Sequence, residues 1–401
     1  MHRLRPSLGN AWFVTLLFTG LAMAWTWPLT ARLTTDIAWD LGDPVLNCWI
    51  MMWTGGQVLR FLSGDWSALG EYWHGNMFYP ERLTIAYSEH LTPQMLQILP
   101  LWAATGNIVL CYNLLVLAAL VASALGMYLL IRELTGVPLA GVVAGAAFML
   151  SPYRVDQFAH LQVITTQWMP LTLYGFRRYF AHGSVRALAG GAAALVLQVL
   201  SCFYYLFFFA PFAAAYCVYE IVARRLWTNV RVWRHLAVAG VLALAAITPF
   251  LLPYLEVRDV TGMGVRAQEE VRSFSADTWS IFTTSENLTL LGQSLAPRLR
   301  AEASAFPGFT ILALGLVDNP QEFVGGQEHV LDGVAAANAG VATIEHVTMA
   351  DTRAIDAMAH HGTALIPTFS AAEAVYREAQ AGRLSPSSAA FASRVGAPCL
   401  S

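Results

Sequence analysis

Lysine is absent from this 401-residue chain: all 23 basic residues are arginine. Charge of either sign is scarce, at 12% of residues, about half the ~25% of an ordinary soluble domain. Twenty-three cations against 26 anions leave a net charge of −3. Without a basic excess there is no patch to meet a phosphate backbone, which argues against a nucleic-acid partner. Cysteine is also sparse, and five in the whole chain exclude a disulfide scaffold. There is no phosphate-cradling glycine loop, no His-Glu-x-x-His and no Cys-x-x-Cys pair, so no nucleotide cofactor is expected. What is abundant is apolar surface: 56% of residues are hydrophobic and the mean hydropathy is +0.51. That excludes a disordered chain and leaves a multi-pass membrane protein with a soluble appendage.

The first uncharged apolar run extends from Ala11 to Pro28, long enough to cross ~30 Å of hydrocarbon as a helix. A signal peptide would share the basic start at Arg3 and Arg5, but no small-residue cleavage site follows. The exit instead carries Trp25 and Trp27, suited to an interface belt. Further runs lie at 107–131, 137–151, 162–181, 187–201, 202–222 and 236–255, and another runs from Phe306 to Val317. The 187–222 stretch must hold two helices with a turn near Ser201. Arg132, Arg177, Arg178, Arg186, Arg224, Arg225, Arg231 and Arg234 fall in alternate connections. With Arg3 and Arg5 they mark the cytoplasmic side under the positive-inside rule. The expected fold is mainly α: a transmembrane bundle of about seven to eight spans with its N-terminus in the cytoplasm. Two long loops, 30–106 and 256–305, and the short segment 151–162 then lie on the other side. The second long loop reads mostly as solvated loop or small lid.

The first loop concentrates the chemistry. It opens "TTDIAWDLGDPVLNCWIMMW", which puts Asp36, Asp40 and Asp43 within eight residues of one another. Val45, Leu46, Trp49, Ile50 and Trp53 then recur at helical spacing, as in a helix lying in the interface. A second patch, "NMFYPERLTIAYSEHLTPQML", carries Arg82, Glu89 and His90 ahead of an apolar run, with Ser88 as a candidate N-cap. A carboxylate at the interface can take a proton from an acceptor hydroxyl, or help hold a divalent cation (Mg or Mn) against a phosphate leaving group. Clustered acids are expected to raise one another's pKa. The alternative is that these are solvated loop residues. In "SPYRVDQFAHLQ", Arg154, Asp156 and His160 form either a lipid-phosphate contact or an ordinary interfacial turn.

One membrane helix, an acid-rich extracytoplasmic loop with interfacial helices, then many spans: this arrangement over residues 1–317 resembles the GT-C class of membrane glycosyltransferases. The patches "GDPVLNCWIMMW" and "FYPERLTIAYSEH" are similar to bacterial multi-pass proteins grouped with that class. The resemblance implies sugar transfer from a polyprenyl-phosphate donor at the extracytoplasmic face of the bacterial inner membrane. An acid of the first loop would be the base or metal ligand. By position this is Asp43 first, in the Gly-Asp-Pro patch, then Asp40 and Asp36. Glu89, His90, Arg82 and Arg154 are the candidate substrate-binding residues. Many members of the class carry more spans after the second loop, so a truncated and incomplete bundle is expected. The competing class is a non-enzymatic transport or assembly protein, which charged residues inside spans would favour.

After Val317 the composition changes to that of a soluble α/β segment. Short strands are expected at 342–346 and 364–368 with a helix between them, a βα pattern. "AGVATIEHVTMADTRAIDAMAHHGTALIPTFS" resembles the late barrel strands of imidazolonepropionase-like amidohydrolases, metal-dependent TIM barrels in which the histidine corresponding to His346 binds the metal. The likeness covers about 80 residues against the ~250 of a barrel. The early His-x-His patch is missing, and no lysine exists to bridge metals. One or two histidines cannot build a zinc site. Residues 318–401 are therefore expected to be a barrel fragment fused to the membrane part, with a cytoplasmic tail and an orphan His346.

Overall fold

The computed structural model describes residues 8–261, 268–273, 275–288, 292–295, 304–309 and 311, together with 343–345 and 364–366. The chain divides into two compact units, Met1–Ile311 and Leu312–Ser401.

The first unit is helical. Its described helices are α1 (Leu8–Trp25), α2 (Asp43–Leu62), α3 (Ser67–Glu71), α4 (Thr92–Thr105), α5 (Ile108–Thr135), α6 (Pro138–Met149), α7 (Pro152–Asp156), α8 (Leu161–Ile164), α9 (Trp168–His182), α10 (Val185–Ser201), α11 (Tyr204–Ala223), α12 (Val230–Thr261), α13 (Gln268–Ser273) and α14 (Gly292–Leu295), with short 3₁₀ turns between some of them. Among the described residues, three helical stretches are long and apolar enough to cross a membrane: Ile108–Thr135, Tyr204–Ala223 and Val230–Asp259. Ala11–Trp25 and Val185–Ser201 are apolar but shorter.

Local signals set the helix ends. The Asn107 side chain accepts from the Leu110 N–H at 2.9 Å, capping α5, and Ser184 caps α10 through the Ala187 N–H. Glycines in the left-handed region end α4, α5 and α9, at Gly106, Gly136 and Gly183. The expected break near Ser201 falls at Cys202 and Phe203, between α10 and α11. Ser88 is not an N-cap; it closes the 3₁₀ turn Thr84–Tyr87 at its C-terminal end. Instead α4 starts at Thr92 after Leu91, itself at φ 50°.

Two apolar runs give less helix than their hydropathy suggests. The run at 137–151 yields the 12 residues of α6, about 18 Å of helix, and the run at 162–181 yields the 15 of α9, about 22 Å. Neither alone covers ~30 Å. Proline explains both. Ser151 precedes Pro152, which disfavours helical backbone at Ser151. Pro170 sits in the first turn of α9, where its ring blocks the helix from growing back past Trp168. Between them, residues 150–167 form short turns of helix joined by irregular backbone.

The core forms around α5, where Phe18, Tyr112, Leu120, Met149, Leu161 and Ile164 are buried together. A second cluster joins Phe176 and Tyr179 of α9 to Phe209, Ala213 and Ile221 of α11. Helices α9 and α10 approach closely: a Cβ placed on Gly175 would lie 2.6 Å from the Ala187 carbonyl oxygen and 2.6 Å from the Gly191 Cα. By contrast, α11 and α12 turn large apolar side chains outward. Phe207 and Phe208 are 71% and 74% exposed, and Val241, Leu242 and Leu244 are exposed as well. In water such a surface would be an interaction site; hydrocarbon solvates it.

Side-chain contacts sort the connections into two ends. At one, residues of the first loop meet 160–165, 201–203 and Tyr254. At the other, Glu133 meets His182, Arg177 meets Glu220, and Tyr179 meets His235.

In the second unit, β1 (Thr343–Glu345) pairs in parallel with β2 (Ala364–Ile366), Ile344 opposite Leu365. The expected strands are present, and parallel pairing needs a crossover connection. His346 and the expected helix between the strands lie outside the described residues.

Candidate active site

The three aspartates of the first loop do not act as one cluster. The Asp36 carboxylate accepts from Thr35 at 2.9 Å and pairs with Arg32 at 3.2 Å, all on the surface. These two donors hold its pKa below the usual carboxylate value, against the expectation that neighbouring acids would raise it. Asp40 accepts the Gly42 N–H at 2.8 Å, a local turn that sets up the start of α2. Asp43 alone reaches another element.

Asp43 lies in the first turn of α2, with Pro44 beside it. Proline suits that turn because its missing N–H is not needed there, and the helix N-terminus favours a carboxylate. The Asp43 Oδ2 lies 3.0 Å from Nε2 of His160, in the turn before α8. One turn further along α2, the Asn47 amide donates to Gln162 at 3.2 Å. Two rungs therefore tie α2 to the 150–167 segment. The Asp43 side chain is 46% exposed and that of His160 is 29% exposed, so a ligand can reach the pair from outside. The other imidazole nitrogen, Nδ1, is buried without a partner.

Asn113 of α5 holds the start of this loop in place. Its side chain donates to the Leu33 and Asp36 carbonyls at 2.9 and 2.7 Å and accepts from the Ala38 N–H at 3.2 Å.

Glu89 and His90 occupy a separate, drier place. Both Glu89 oxygens accept the Phe203 N–H, at 3.1 and 3.2 Å. The carboxylate thus caps the start of α11 across 114 residues of sequence. Burial pushes its pKa up to about 7, against the opposing pull of these bonds. His90 is fully buried. Its Nδ1 accepts the Thr92 N–H at 3.0 Å, which places the proton of a neutral ring on Nε2. Trp73, Phe203, Phe250 and Tyr254 surround the ring. Burial drives its pKa down to about 3, so it is uncharged at neutral pH. His90 is closed to solvent, and the partly exposed Glu89 is already engaged by the Phe203 N–H.

Arg154 is likewise internal, 4% exposed. Its Nε donates to the Phe148 carbonyl at 3.1 Å and Nη1 to the Ile164 carbonyl at 2.8 Å, while Nη2 bonds the Thr166 hydroxyl. The guanidinium therefore clamps both sides of the broken segment and is not offered to a lipid phosphate. Arg82 is exposed and forms no ion pair among the described residues.

The broken segment is satisfied by side chains from far away. The Gln198 amide donates to the Thr165 carbonyl at 3.0 Å, and the Tyr205 hydroxyl to the Val163 carbonyl at 2.6 Å. Gln94 donates to both the Thr165 hydroxyl and the Ser201 carbonyl. These donors satisfy irregular backbone that would otherwise be buried without partners. Gln94, Asn113 and Gln198 are not singled out by the sequence patterns; their signal is an amide side chain within an otherwise apolar run, paired with Gln97 in the case of Gln94.

No known protein family, curated protein or solved structure matches the chain. The site is therefore read from its own geometry. Among the described residues, no three His, Cys, Asp or Glu side chains converge to hold a metal ion. The Asp43–His160 pair supplies two such groups. What it offers without further ligands is a half-open carboxylate steadied by an imidazole, suited to accepting a proton.

Proposed function

We propose that the first unit lies in the bacterial inner membrane, with α5, α11 and α12 as full spans and the shorter α1, α6, α9 and α10 packed among them to complete a bundle of about seven to eight helical passes, and that it transfers a sugar from a polyprenyl phosphate at the extracytoplasmic face. The observation that carries this is the Asp43–His160 pair at 3.0 Å, half open, at the end of the bundle opposite the arginine-rich connections. In the proposed step an acceptor hydroxyl attacks the anomeric carbon as the bond from that carbon to the phosphate oxygen breaks. The polyprenyl phosphate leaves with the bonding electrons. Asp43 takes the hydroxyl proton, and His160 holds the carboxylate in position. No part of the step is routed through a metal.

The test is transfer of labelled sugar from a polyprenyl-phosphate donor by the full chain in lipid vesicles. Asp43→Asn is expected to lower the rate by roughly 10²–10⁴-fold, the range of a lost general base. Undiminished transfer by that variant would remove Asp43 from the role.

For the tail, the parallel pairing of β1 and β2 favours a barrel-like βα unit. Zinc bound by the whole chain and lost in His346→Ala would turn its reading towards a metal-dependent amidohydrolase.

A further inference from the structure

A groove of about 680 Å³ runs between α10 and α12. Leu188, Ala192, Val196, Val238, Leu242 and Ala246 are among the residues lining it. Its walls are apolar for their whole length except at one end, where Arg234 and His235 enter the lining.

Among the described residues the charge at that end is uncompensated. Arg234, with Arg231 one turn before it on α12 and Arg186 at the start of α10, is exposed, and none of the three forms an ion pair among the described residues. The acids packed nearest this end are already engaged: Glu220 by Arg177 and Arg224, Glu133 by His182. His235 is half-buried, with Nδ1 3.0 Å from the Tyr179 hydroxyl. When that hydroxyl donates to Nδ1, the Nε2–H is left to donate to a ligand.

Length supplies the second argument. From Arg234 to Ala246 is about 18 Å along α12, close to half the ~30 Å hydrocarbon thickness. The groove is thus one leaflet deep, open at the side, apolar along its wall and cationic at one end. A helix of a partner protein would need apolar contact across the full thickness and no cation at the rim. A free phosphate would have no use for the apolar wall.

We infer that this groove binds an anionic phospholipid of the cytoplasmic leaflet, one acyl chain lying between α10 and α12 and the phosphate on Arg234 and His235. The inference rests on the membrane placement proposed above but not on sugar transfer.

The experiment is native mass spectrometry of the full chain in mild detergent, titrated with phosphatidylglycerol and, separately, phosphatidylethanolamine. One phosphatidylglycerol is expected to be retained in preference to phosphatidylethanolamine. Arg234→Gln should weaken that retention about fivefold, the worth of one cation near a lipid headgroup. Ala192→Trp, which fills the groove, should weaken retention of both lipids. Arg234 is exposed, so its variant folds whether or not the tryptophan variant does. Equal retention of the two lipids, retention unchanged in Arg234→Gln, or a dimer that covers the groove would each overturn the proposal. None of these readouts needs a sugar donor, so failure here and failure of the transferase reading are distinguishable.

Discussion

His160 holds Asp43 across the top of the bundle, Nε2 to Oδ2, at 3.0 Å. The two residues are separated by almost the whole first loop and two apolar helices, yet they form the contact between α2 and the broken segment that is most open to solvent. The pair is half exposed, so its contribution to stability is small, within ~1 kcal/mol as for other exposed ion pairs. If its role is catalytic, stability and activity will separate. Asp43→Asn and His160→Gln should each leave the melting temperature in detergent nearly unchanged, while sugar transfer falls steeply in the first and less in the second. A large drop in melting temperature for either variant would make the pair a structural tie.

Arg154 predicts the opposite pattern. Its three bonds to Phe148, Ile164 and Thr166 are internal. Arg154→Ala strands buried carbonyls, each costing about 1–3 kcal/mol, and Arg154→Lys cannot span the same fork. Both variants should unfold at markedly lower temperature, the lysine only partly rescuing the alanine. A lysine variant as stable as the parent chain would show that charge alone suffices there.

Glu89 gives a pH dependence with a definite sign. Its folded pKa of about 7 lies above the ordinary value of 4.5. The folded chain therefore holds the proton more tightly than the unfolded chain. The stability linked to this group is fully present below about pH 4.5, declines as pH rises towards 7 and is gone above it. Glu89→Gln keeps an acceptor for the Phe203 N–H but has nothing to ionise. Melting temperatures measured from pH 4.5 to 8 should slope downward in the parent chain, and this component of the slope should be missing from the variant.

Adjacent glycines on α10 should behave differently. A Cβ on Gly191 would lie 2.8 Å from the Phe176 ring and 3.0 Å from the Thr172 carbonyl, whereas one on Gly190 meets nothing within 4 Å. Gly191→Ala forces α9 and α10 apart and is expected to cost about 1–3 kcal/mol. Gly190→Ala relieves a helix of a residue with excess freedom and should be neutral or slightly stabilising. Equal melting temperatures for the two would contradict the close approach of α9 and α10.

The mainly helical architecture is legible in the sequence, and three of its apolar runs, in α5, α11 and α12, form helices long enough to cross a membrane. The break between α10 and α11 is visible as the polar Ser201-Cys202 step inside a run too long for one helix. The shortness of α6 and α9 is legible only when Pro152 and Pro170 are read for their backbone effect, since hydropathy averages over them. The site is less legible. Composition marks Asp36, Asp40 and Asp43 as equals; only the fold directs the first two to Arg32 and to the Gly42 N–H and leaves Asp43 for His160. Glu89 and Arg154 look like loop residues because their partners, Phe203 and the Phe148 and Ile164 carbonyls, are main-chain groups that no side-chain pattern advertises. Gln94 meets Ser201 at a separation of 107 residues, beyond the reach of any local rule.

The segment at 161–167 depends on helices that follow it in the chain. The carbonyls of Val163 and Thr165 are satisfied by Tyr205 and Gln198. Without α10 and α11 both carbonyls lose these donors, and a buried carbonyl left unpaired is costly. The order of the segment is thus expected to depend on α10 and α11: Gln198→Leu, which removes the donor to the Thr165 carbonyl, should loosen residues 161–167 as well as α10.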